Sequence, residues 1–459
     1  MIHMDLSQAA TLLDCGPLKN DGQNDVALTG ITFTGITTDS RQVGPGMLFA
    51  ALSGDNFDGH DYLQQAQDLG AVAALVCREV ETDLPLLQVT DVLAALGILA
   101  GYWRNQCRAK VIGITGSNGK TTVKEMIASI LRQQGKVLAT DGNFNNELGL
   151  PLTLFRLDMS DAYAVVEMGA SYPGDIAYLA EITRPDVGVI TSIGPAHLQG
   201  FITEEGVARA KGELFAALPE DGIAVINAAE PWVDLWQGIN KAGTVYYFGA
   251  DGEDHITAHG DAENVVVSTP LGEFSLQLPL PGVHNLSNAL AATAVCLALD
   301  IPLADIKTGL EAVRPVRGRL SLVHSNSGWT VIDDTYNANP ASLYAALQVL
   351  AGQSGEPWLV LGDMMELGKG SRKMHAELGN AARSFGVRRL FALGDASTAT
   401  VDAFGDHATH FRNKDHLIEA LRTQLKPGIA CLVKGSRSMG MEDVVSAISN
   451  GPEYLEANG

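Results

Sequence analysis

The chain lacks the features that would place it in a membrane, a secretory pathway or a disulfide-bonded scaffold. It has no run of about 18 apolar residues, so we expect no membrane span. The first residues do not form a basic segment followed by an apolar core, and we predict no signal peptide. The five cysteines are odd in number and widely scattered, which is typical of reduced thiols rather than a disulfide framework or a zinc site. We therefore expect a cytoplasmic protein.

Positive charge is also scarce. The 459 residues include 31 Lys and Arg against 53 Asp and Glu, which gives a formal net charge of −22. This balance argues against a nucleic-acid partner. An anionic ligand would have to be held by local cationic side chains or by backbone N–H groups. The length predicts about three domains, and the 46% hydrophobic content is that of an ordinary globular protein.

A glycine-rich loop is the most informative segment that is present. Residues 113–122 read GITGSNGKTT, after an apolar strand pattern and before a helical pattern at 123–131. Backbone N–H groups and the helix dipole of such a loop bind phosphates, Lys120 can reach the β and γ oxygens, and Thr121 can ligate Mg²⁺. Ile114 stands where the common G-x-x-x-x-G-K-S/T template has glycine, so this is a variant loop. The alternative is a turn that binds nothing, but the context predicts a nucleoside triphosphate site.

Strand patterns alternate with helical patterns along the chain, which predicts an α/β protein with parallel sheets. We predict a small α/β domain at 1–88, a central P-loop ATPase-like domain at 89–318 and a doubly wound, Rossmann-like domain at 319–459. Short runs between 244 and 278 predict antiparallel strands added to the central parallel sheet. The third domain has no G-x-G-x-x-G loop, so we expect no dinucleotide site there. The other predicted strands are 110–115, 162–168, 187–193, 222–226, 329–333, 358–361, 389–393 and 430–433.

Polar residues follow two of the predicted central strands. Glu167 ends one strand and His197 follows the next, and ligands gather at the carboxyl ends of strands in open α/β sheets. Glu167 is a natural Mg²⁺ ligand there, although a strand-end carboxylate exposed to water is an equally good interpretation. By default His197 is structural, and Lys211, in a helical pattern, is a solvated surface lysine.

Two polar loops are candidate substrate contacts. Asn143, Asn145 and Asn146 lie in a segment that favours a loop presenting amide donors and acceptors. In the first domain, Ser40 and Arg41 together form a sensible clamp for a diphosphate or a carboxylate. A plain turn and a solvated loop are the respective alternatives.

Three later clusters lie at 284–288, 314–319 and 333–340. The second contains three arginines, and an arginine from another domain could stabilise charge on a transferring phosphoryl group. On the residues alone, each cluster is equally a cap or a turn.

These motifs, in this order, resemble the Mur ligase superfamily of ATP-dependent amide-forming enzymes. The resemblance covers nearly the whole chain and is carried by TGSNGKTT at 115–122, DGNFNNELGLPLTL at 141–154, DDTYNANPAS at 333–342 and LGDMMELG at 361–368. The last three stretches imply an enzyme that joins D-alanyl-D-alanine to UDP-N-acetylmuramoyl-tripeptide. The sister ligase that adds the third peptide residue usually carries Asp-Asn-Pro-Arg, which is absent here. Folylpolyglutamate synthases lack a first domain like residues 1–88.

The resemblance also implies cofactors and residue roles. It implies ATP, two Mg²⁺ ions held by Thr121, Glu167, His197 and Lys211, and carbamylation of Lys211 by CO₂, which would turn a cation into the hard oxygen ligand that Mg²⁺ prefers. The implied catalytic residues are Lys120, Glu167, His197 and Lys211. The implied nucleotide contacts are Thr115, Gly116, Ser117, Asn118, Gly119, Lys120, Thr121, Thr122, His284, Asn288, Arg319 and Asp334. The implied contacts to the UDP-sugar peptide are Ser40, Arg41, Asn143, Asn145 and Asn146.

The expected reaction passes through an acyl phosphate. The tripeptide carboxylate attacks the γ-phosphoryl group of ATP, and the dipeptide amine then displaces phosphate. Because water would destroy the acyl phosphate, we expect the third domain to close over the site, with 315–318 as the hinge. We expect a monomer. A sister ligase, a kinase or other NTPase, and a non-catalytic nucleotide-binding regulator are the alternatives, and phosphate release that requires both substrates would exclude them.

Overall fold

The computed structural model describes residues 1–15, 30–54, 57–260 and 264–449. Within them, three sheets that are wholly or largely parallel follow one another along the chain, which confirms the predicted α/β class. No helix in these ranges combines the length and the hydropathy needed to cross a bilayer.

The first sheet lies in the segment predicted as the N-terminal domain. Its elements are β1 (His3–Asp5), α1 (Leu6–Leu12), β2 (Thr32–Thr34), β3 (Ile36–Thr37), β4 (Leu48–Ala50), β5 (Ser53–Gly54), β6 (Phe57–Asp58), α2 (Leu63–Asp68), β7 (Ala73–Val76) and β8 (Leu86–Gln88). Strands β3, β4, β7 and β8 form a parallel sheet in that order, while β1–β2 and β5–β6 are antiparallel pairs. Strands β4 and β7 are completely buried, as expected of apolar parallel strands.

The central segment contains the largest set of elements. These are α3 (Val92–Gln106), β9 (Lys110–Thr115), α4 (Lys120–Leu131), β10 (Val137–Ala139), α5 (Gly149–Phe155), β11 (Tyr163–Glu167), α6 (Asp175–Thr183), β12 (Val187–Ile190), α7 (Leu198–Phe201), α8 (Glu204–Ala216), β13 (Ile223–Asn227), α9 (Val233–Ile239), β14 (Thr244–Phe248), β15 (Thr257–Gly260), β16 (Val265–Thr269), β17 (Gly272–Leu276), α10 (Val283–Leu297) and α11 (Leu303–Glu311).

The central sheet corrects one prediction. Its order is β10-β11-β9-β12-β13-β14, and every neighbouring pair is parallel. The run 244–248, predicted to be antiparallel, is instead the parallel edge strand β14. The prediction failed because composition describes a strand but not its partner, and β14 pairs with β13 along its full length. Strands β15, β16 and β17 do form the predicted antiparallel unit.

The third segment is doubly wound, as predicted. Its elements are β18 (Ser321–His324), β19 (Thr330–Asp334), α12 (Pro340–Ala351), β20 (Glu356–Gly362), α13 (Ser371–Ser384), β21 (Arg389–Leu393), α14 (Thr398–Phe404), β22 (Ala408–Phe411), α15 (Lys414–Gln424), β23 (Ile429–Lys434) and α16 (Glu442–Ile448). The sheet order is β18-β19-β23-β20-β21-β22, with only β18 antiparallel. Separate apolar cores on its two faces include residues of α12 and α13 on one side and of α15 and α16 on the other.

Candidate active site

A cleft of about 800 Å³ lies between the central and third segments. It opens where β9, β11, β19 and β23 end, the usual place for a ligand in an open α/β sheet. The predicted site residues that line it are Gly116, Ser117, Asn118, Gly119, Lys120, Thr122, Asn143, Asn145, Asn146, Glu167, His197, Lys211, His284, Asn288, Arg319 and Asp334.

The glycine loop between β9 and α4 is shaped by two glycines with positive φ angles. Gly119 has a φ of +83°, and a Cβ atom there would lie 2.3 Å from Asn288 Oδ1. Gly116 has a φ of +149°, and its Cβ would lie 1.9 Å from Thr191 Oγ1. A side chain at Gly119 would therefore collide with Asn288 of α10, and one at Gly116 would collide with Thr191, which follows β12. Behind the loop, the buried Thr115 hydroxyl donates to the Met168 carbonyl at 2.8 Å.

Lys120 folds back over this loop. Its Nζ donates a hydrogen bond to the Gly116 carbonyl at 2.7 Å. Burial lowers the pKa of Lys120, while the nearby Glu167 acts in the opposite direction. A lysine ammonium beside the N-terminus of a helix, here α4, is an arrangement that binds phosphate oxygens.

Thr121 and Glu167 form the centre of a buried polar network. The Thr121 hydroxyl donates to Glu167 Oε2 at 2.9 Å, and Asn145 Nδ2 donates to Glu167 Oε1 at 2.8 Å. Arg319 of the third segment donates from Nη2 to Thr121 Oγ1 at 3.0 Å. Glu167 is only 1% exposed, so its carboxylate is not the solvated strand end that the sequence left open. Thr121 thus joins the predicted site through bonds, although it does not line the cleft.

His197 meets the third segment through Glu366. Its Nδ1 lies against the Glu366 carboxylate, and the two form an ion pair when the imidazole is protonated. The two residues have φ angles of 52° and 62°, a left-handed conformation that is uncommon outside glycine and clusters at functional sites. Burial lowers the pKa of His197, while Glu366 acts to raise it.

Lys211 lies in α8 and is 2% exposed, so it is not the surface lysine that its sequence context suggested. Burial is the main cause that lowers its pKa to about 7, and Lys120 adds to the effect. Within the described ranges, Lys211 Nζ has no hydrogen-bond or ion-pair partner. The same ranges contain no group of three His, Cys, Asp or Glu side chains arranged to hold a metal ion. The Thr121 hydroxyl and the Glu167 carboxylate are bonded to each other beside the phosphate loop, and both carry oxygen atoms of the kind that ligate Mg²⁺.

The third segment contributes polar groups that were not among the predicted site residues, although Asn337 and Asn339 belong to the cluster at 333–340. Lys434 at the end of β23 is 1% exposed, forms a buried ion pair with Asp334 and donates to the Asn337 carbonyl at 3.0 Å. Asn339 Nδ2 donates to Asn118 Oδ1 at 2.8 Å. The strand-end rule that selected Glu167 would also have selected Lys434, whereas nothing in the sequence indicates a pairing of Asn339 with the loop.

One histidine, His284, and one arginine, Arg319, also line the cleft. His284 is near the Asp334–Lys434 pair, and burial lowers its pKa. Its Nδ1 is buried without a hydrogen-bond partner among the described residues. The Arg319 guanidinium lies 3.9 Å from the centre of the Tyr336 ring, a cation–π contact that fixes its plane.

Ser40 and Arg41 are not brought to this cleft. They lie in a turn of 3-10 helix, Ser40–Gln42, in the first segment. Ser40 donates to Gln65 at 3.0 Å, and Arg41 binds Asp39 through Nε and Nη2 at 2.9 and 2.8 Å. These bonds hold the pKa of Asp39 at about 2. Their role in substrate binding therefore stays a prediction.

Comparison with known proteins gives a family for this arrangement. Residues 32–104 match the Mur ligase family catalytic domain, residues 114–296 match the Mur ligase middle domain, and residues 318–437 match the Mur ligase glutamate ligase domain. The chain belongs to the Mur ligase family.

Individual relatives and solved structures of similar length are similar to this chain over nearly its full length. The chain is 42% identical to the UDP-N-acetylmuramoyl-tripeptide–D-alanyl-D-alanine ligase of Escherichia coli (strain K12), over 98% of this chain and 99% of the relative. The crystal structure of MurF from Acinetobacter baumannii is similar with a TM-score of 0.89 at 33% identity, covering 98% of this chain and 100% of that one. MurF ligase from Thermotoga maritima, solved in complex with ADP, gives a TM-score of 0.80 at 28% identity, over 93% of this chain and 98% of that one.

Proposed function

We propose that this chain is an ATP-dependent amide ligase of peptidoglycan precursor synthesis. It joins D-alanyl-D-alanine to UDP-N-acetylmuramoyl-tripeptide and gives UDP-N-acetylmuramoyl-pentapeptide, ADP and phosphate. The observation that carries the proposal is the meeting of the phosphate loop with the third segment, through Arg319 to Thr121 at 3.0 Å and Asn339 to Asn118 at 2.8 Å. The choice of substrates is supported by the names of relatives that match almost the full chain.

The phosphate loop and its basic neighbours bind and polarise ATP. Backbone N–H groups of the first turn of α4 receive the phosphates, and Lys120 exchanges its bond with the Gly116 carbonyl for phosphate oxygens. The carboxylate that ends the tripeptide attacks the γ-phosphorus, and ADP leaves. Lys120 and Arg319 neutralise the charge that develops between the β and γ groups. His284 and Asn288 line the same cleft and are proposed to contact the nucleoside.

The residues present fit Mg²⁺. The Thr121 hydroxyl and the Glu167 carboxylate are hard oxygen donors beside the phosphate loop, and they would hold one ion. The unpartnered Nζ of Lys211 has a pKa of about 7, so a large share of it is an uncharged amine at neutral pH and can add CO₂. The resulting carbamate and His197 would hold a second ion. Bound Mg²⁺ would supply positive charge against the phosphates.

The second half of the reaction needs a dry site. The amine of D-alanyl-D-alanine attacks the acyl carbon, a tetrahedral intermediate forms, and phosphate leaves with the former tripeptide oxygen. Side chains that reach the loop from the third segment, Arg319 and Asn339, close that end of the cleft and limit the access of water to the acyl phosphate.

The precursor is proposed to extend from the central segment toward the first one. Asn143, Asn145 and Asn146 line the cleft and would contact its peptide. Ser40 and Arg41 would hold the UDP-sugar part, in a first domain at 1–88. We further propose that the enzyme acts in the cytoplasm as a monomer.

The test is a phosphate-release assay with matched acceptors. ATP, Mg²⁺ and UDP-N-acetylmuramoyl-tripeptide are supplied with D-alanyl-D-alanine, with single amino acids, or with no acceptor. Release that requires the tripeptide and the dipeptide together is the expected result. Release with a single amino acid would indicate a sister ligase, and release without any acceptor would indicate another NTPase.

A further inference from the structure

Five lysine and arginine side chains line the cleft: Lys120, Lys211, Arg319, Lys434 and Arg437. Lys120 and Arg319 are committed to the phosphate end by the bonds described above. Lys434 is neutralised by its buried partner Asp334, and Lys211 is buried in α8, where it is proposed above to be carbamylated. Of these five side chains, Arg437 is therefore the cation that has neither a proposed role in nucleotide binding nor a buried carboxylate partner.

The immediate setting of Arg437 leaves part of its guanidinium open. Nη1 donates to Glu442 Oε1 at 2.7 Å, and the arginine side chain remains 60% exposed. In the described part of the chain, Nε and Nη2 of Arg437 have no hydrogen-bond or ion-pair partner. An ion pair this exposed stabilises a protein little. Paired N–H groups of a guanidinium match the two oxygens of a carboxylate.

The backbone that carries Arg437 is fixed on both sides. Ser436 donates from its N–H to the Asp363 carbonyl at 3.1 Å, and its hydroxyl accepts from Met365 N at 2.8 Å. On the other side, Lys414 Nζ donates to the Gly440 carbonyl at 2.7 Å. A binding group needs this kind of support, because an error of about 1 Å in its position weakens recognition.

Arg437 shares the cleft with Tyr336 and with the residues of the phosphate loop. Burial raises the pKa of Tyr336, and Arg319 and Arg437 both counteract that rise. Arg319, Tyr336 and Arg437 line the same cleft, and Arg319 is bonded to Thr121 at 3.0 Å. Arg437 thus occupies the same cavity as the phosphate loop without belonging to it.

The acceptor of the proposed reaction carries an anion that needs such a group. Its amine must reach the acyl phosphate, and its carboxylate lies about 7 Å further along an extended dipeptide. In a chain with a net charge of −22, that carboxylate needs a local cation. We propose that Arg437 binds the terminal carboxylate of the D-alanyl-D-alanine acceptor and thereby selects acceptors with a free carboxylate. This inference rests on the proposed function.

The test compares D-alanyl-D-alanine with its C-terminal amide, which has the same shape without the charge. ADP release is measured with each acceptor at saturating ATP and tripeptide. For the unaltered enzyme, kcat/KM should be about 10- to 100-fold lower with the amide, which is the usual effect of one charge-assisted hydrogen-bonded contact. Arg437→Gln should raise the KM for the acid by a similar factor and bring the acid-to-amide ratio close to one. Arg437→Lys should give an intermediate ratio.

Controls separate this role from a general loss of function. Arg372→Gln changes an exposed arginine of the same segment that does not line the cleft, and it should leave the ratio and all three KM values unchanged. In Arg437→Gln, the KM values for ATP and for the tripeptide should also be unchanged. A rise in either of those values with an unaltered dipeptide KM would overturn the inference, because Arg437 would then bind a different anion.

The unaltered enzyme alone can also overturn the inference. If it uses the amide as well as the acid, there is no carboxylate subsite, whatever the variants do. That result would leave the ligase function intact. By contrast, the absence of any dipeptide-dependent ADP release would overturn the proposed function and this inference with it.

Discussion

Arg319 Nη2 donates to Thr121 Oγ1 at 3.0 Å, although 198 positions separate the two residues in the chain. The same hydroxyl donates to Glu167 Oε2 at 2.9 Å. A guanidinium that follows the proposed hinge at 315–318 thus contacts the phosphate loop directly. If the third segment closes over the site as proposed, closure would bring this positive charge to the phosphate loop.

Replacing Arg319 should remove this charge from the transition state. We expect Arg319→Ala to lower kcat by about 10²-fold or more, with a smaller effect on the KM for ATP, because the charge matters most when the γ-phosphoryl group is in transfer. Steady-state ADP release measures both values. Arg314→Ala, an exposed arginine of the same cluster, is the control and should be near normal. A kcat within about threefold of normal in Arg319→Ala would contradict this role.

Lys120 should contribute directly to the rate of phosphoryl transfer. Its ammonium lies against the Gly116 carbonyl at 2.7 Å, where it can move to phosphate oxygens. We expect Lys120→Ala to reduce kcat by at least about 10²-fold, by analogy with the loss of single charge-stabilising groups. The measurement is single-turnover phosphate release, which reports the chemical step. Lys241→Ala, at an exposed position of the same segment, should keep normal turnover, and near-normal turnover in Lys120→Ala would exclude the proposed role.

The fold could be predicted from the sequence to a large extent because strands and helices have local signals. The run 110–115 is strand β9 with the same bounds. Asp91 precedes an apolar helical run and caps α3, accepting from Leu93 N at 2.8 Å, as aspartate commonly does at this position. What failed was the orientation of β14, since an edge strand of this kind is defined by its neighbour and not by its own residues. Pairing between elements is a tertiary property that local patterns do not contain.

The candidate site shows the same difference between residues with local sequence signals and contacts that depend on tertiary structure. Lys120, Thr121 and Glu167 could be selected because the glycine loop and the strand ends are visible in the sequence. The contacts of Asn339 with Asn118 and of Glu366 with His197 could not be selected, because they form only where the central and third segments meet. The burial of Lys211 also depends on packing around α8, and a helical pattern with charged neighbours indicates the opposite.

The pKa of Lys211 makes carbamylation testable through its pH dependence. Only the uncharged amine adds CO₂, and the pKa has fallen from 10.5 to about 7. The amine therefore loses its proton as the pH rises through that value, so carbamate formation should rise across it and reach a plateau. Carbon-13 NMR of the protein in labelled bicarbonate, about one pH unit below and above that pKa, measures the carbamate carbonyl.

Two variants serve as controls for that experiment. Lys211→Met should lose the signal, while Lys241→Met, at an exposed lysine, should keep it. An equal signal in Lys211→Met, or a signal that falls as the pH rises, would contradict the assignment of the modified residue.

Asn339 allows the contact between the segments to be separated from local stability. Its Oδ1 accepts from Ser342 N at 2.8 Å and caps α12, whereas its Nδ2 donates to Asn118 at 2.8 Å. Asn339→Ser should keep the cap, because serine is an equally good N-cap, and lose the long reach to the loop. We expect unfolding midpoints in urea close to normal and a KM for ATP raised several-fold. Asn339→Ala loses both bonds and should also lower the free energy of unfolding by about 1 kcal/mol. If Asn339→Ser binds ATP normally, the third segment does not support the nucleotide loop through this bond, and Arg319 would have to provide that support by itself.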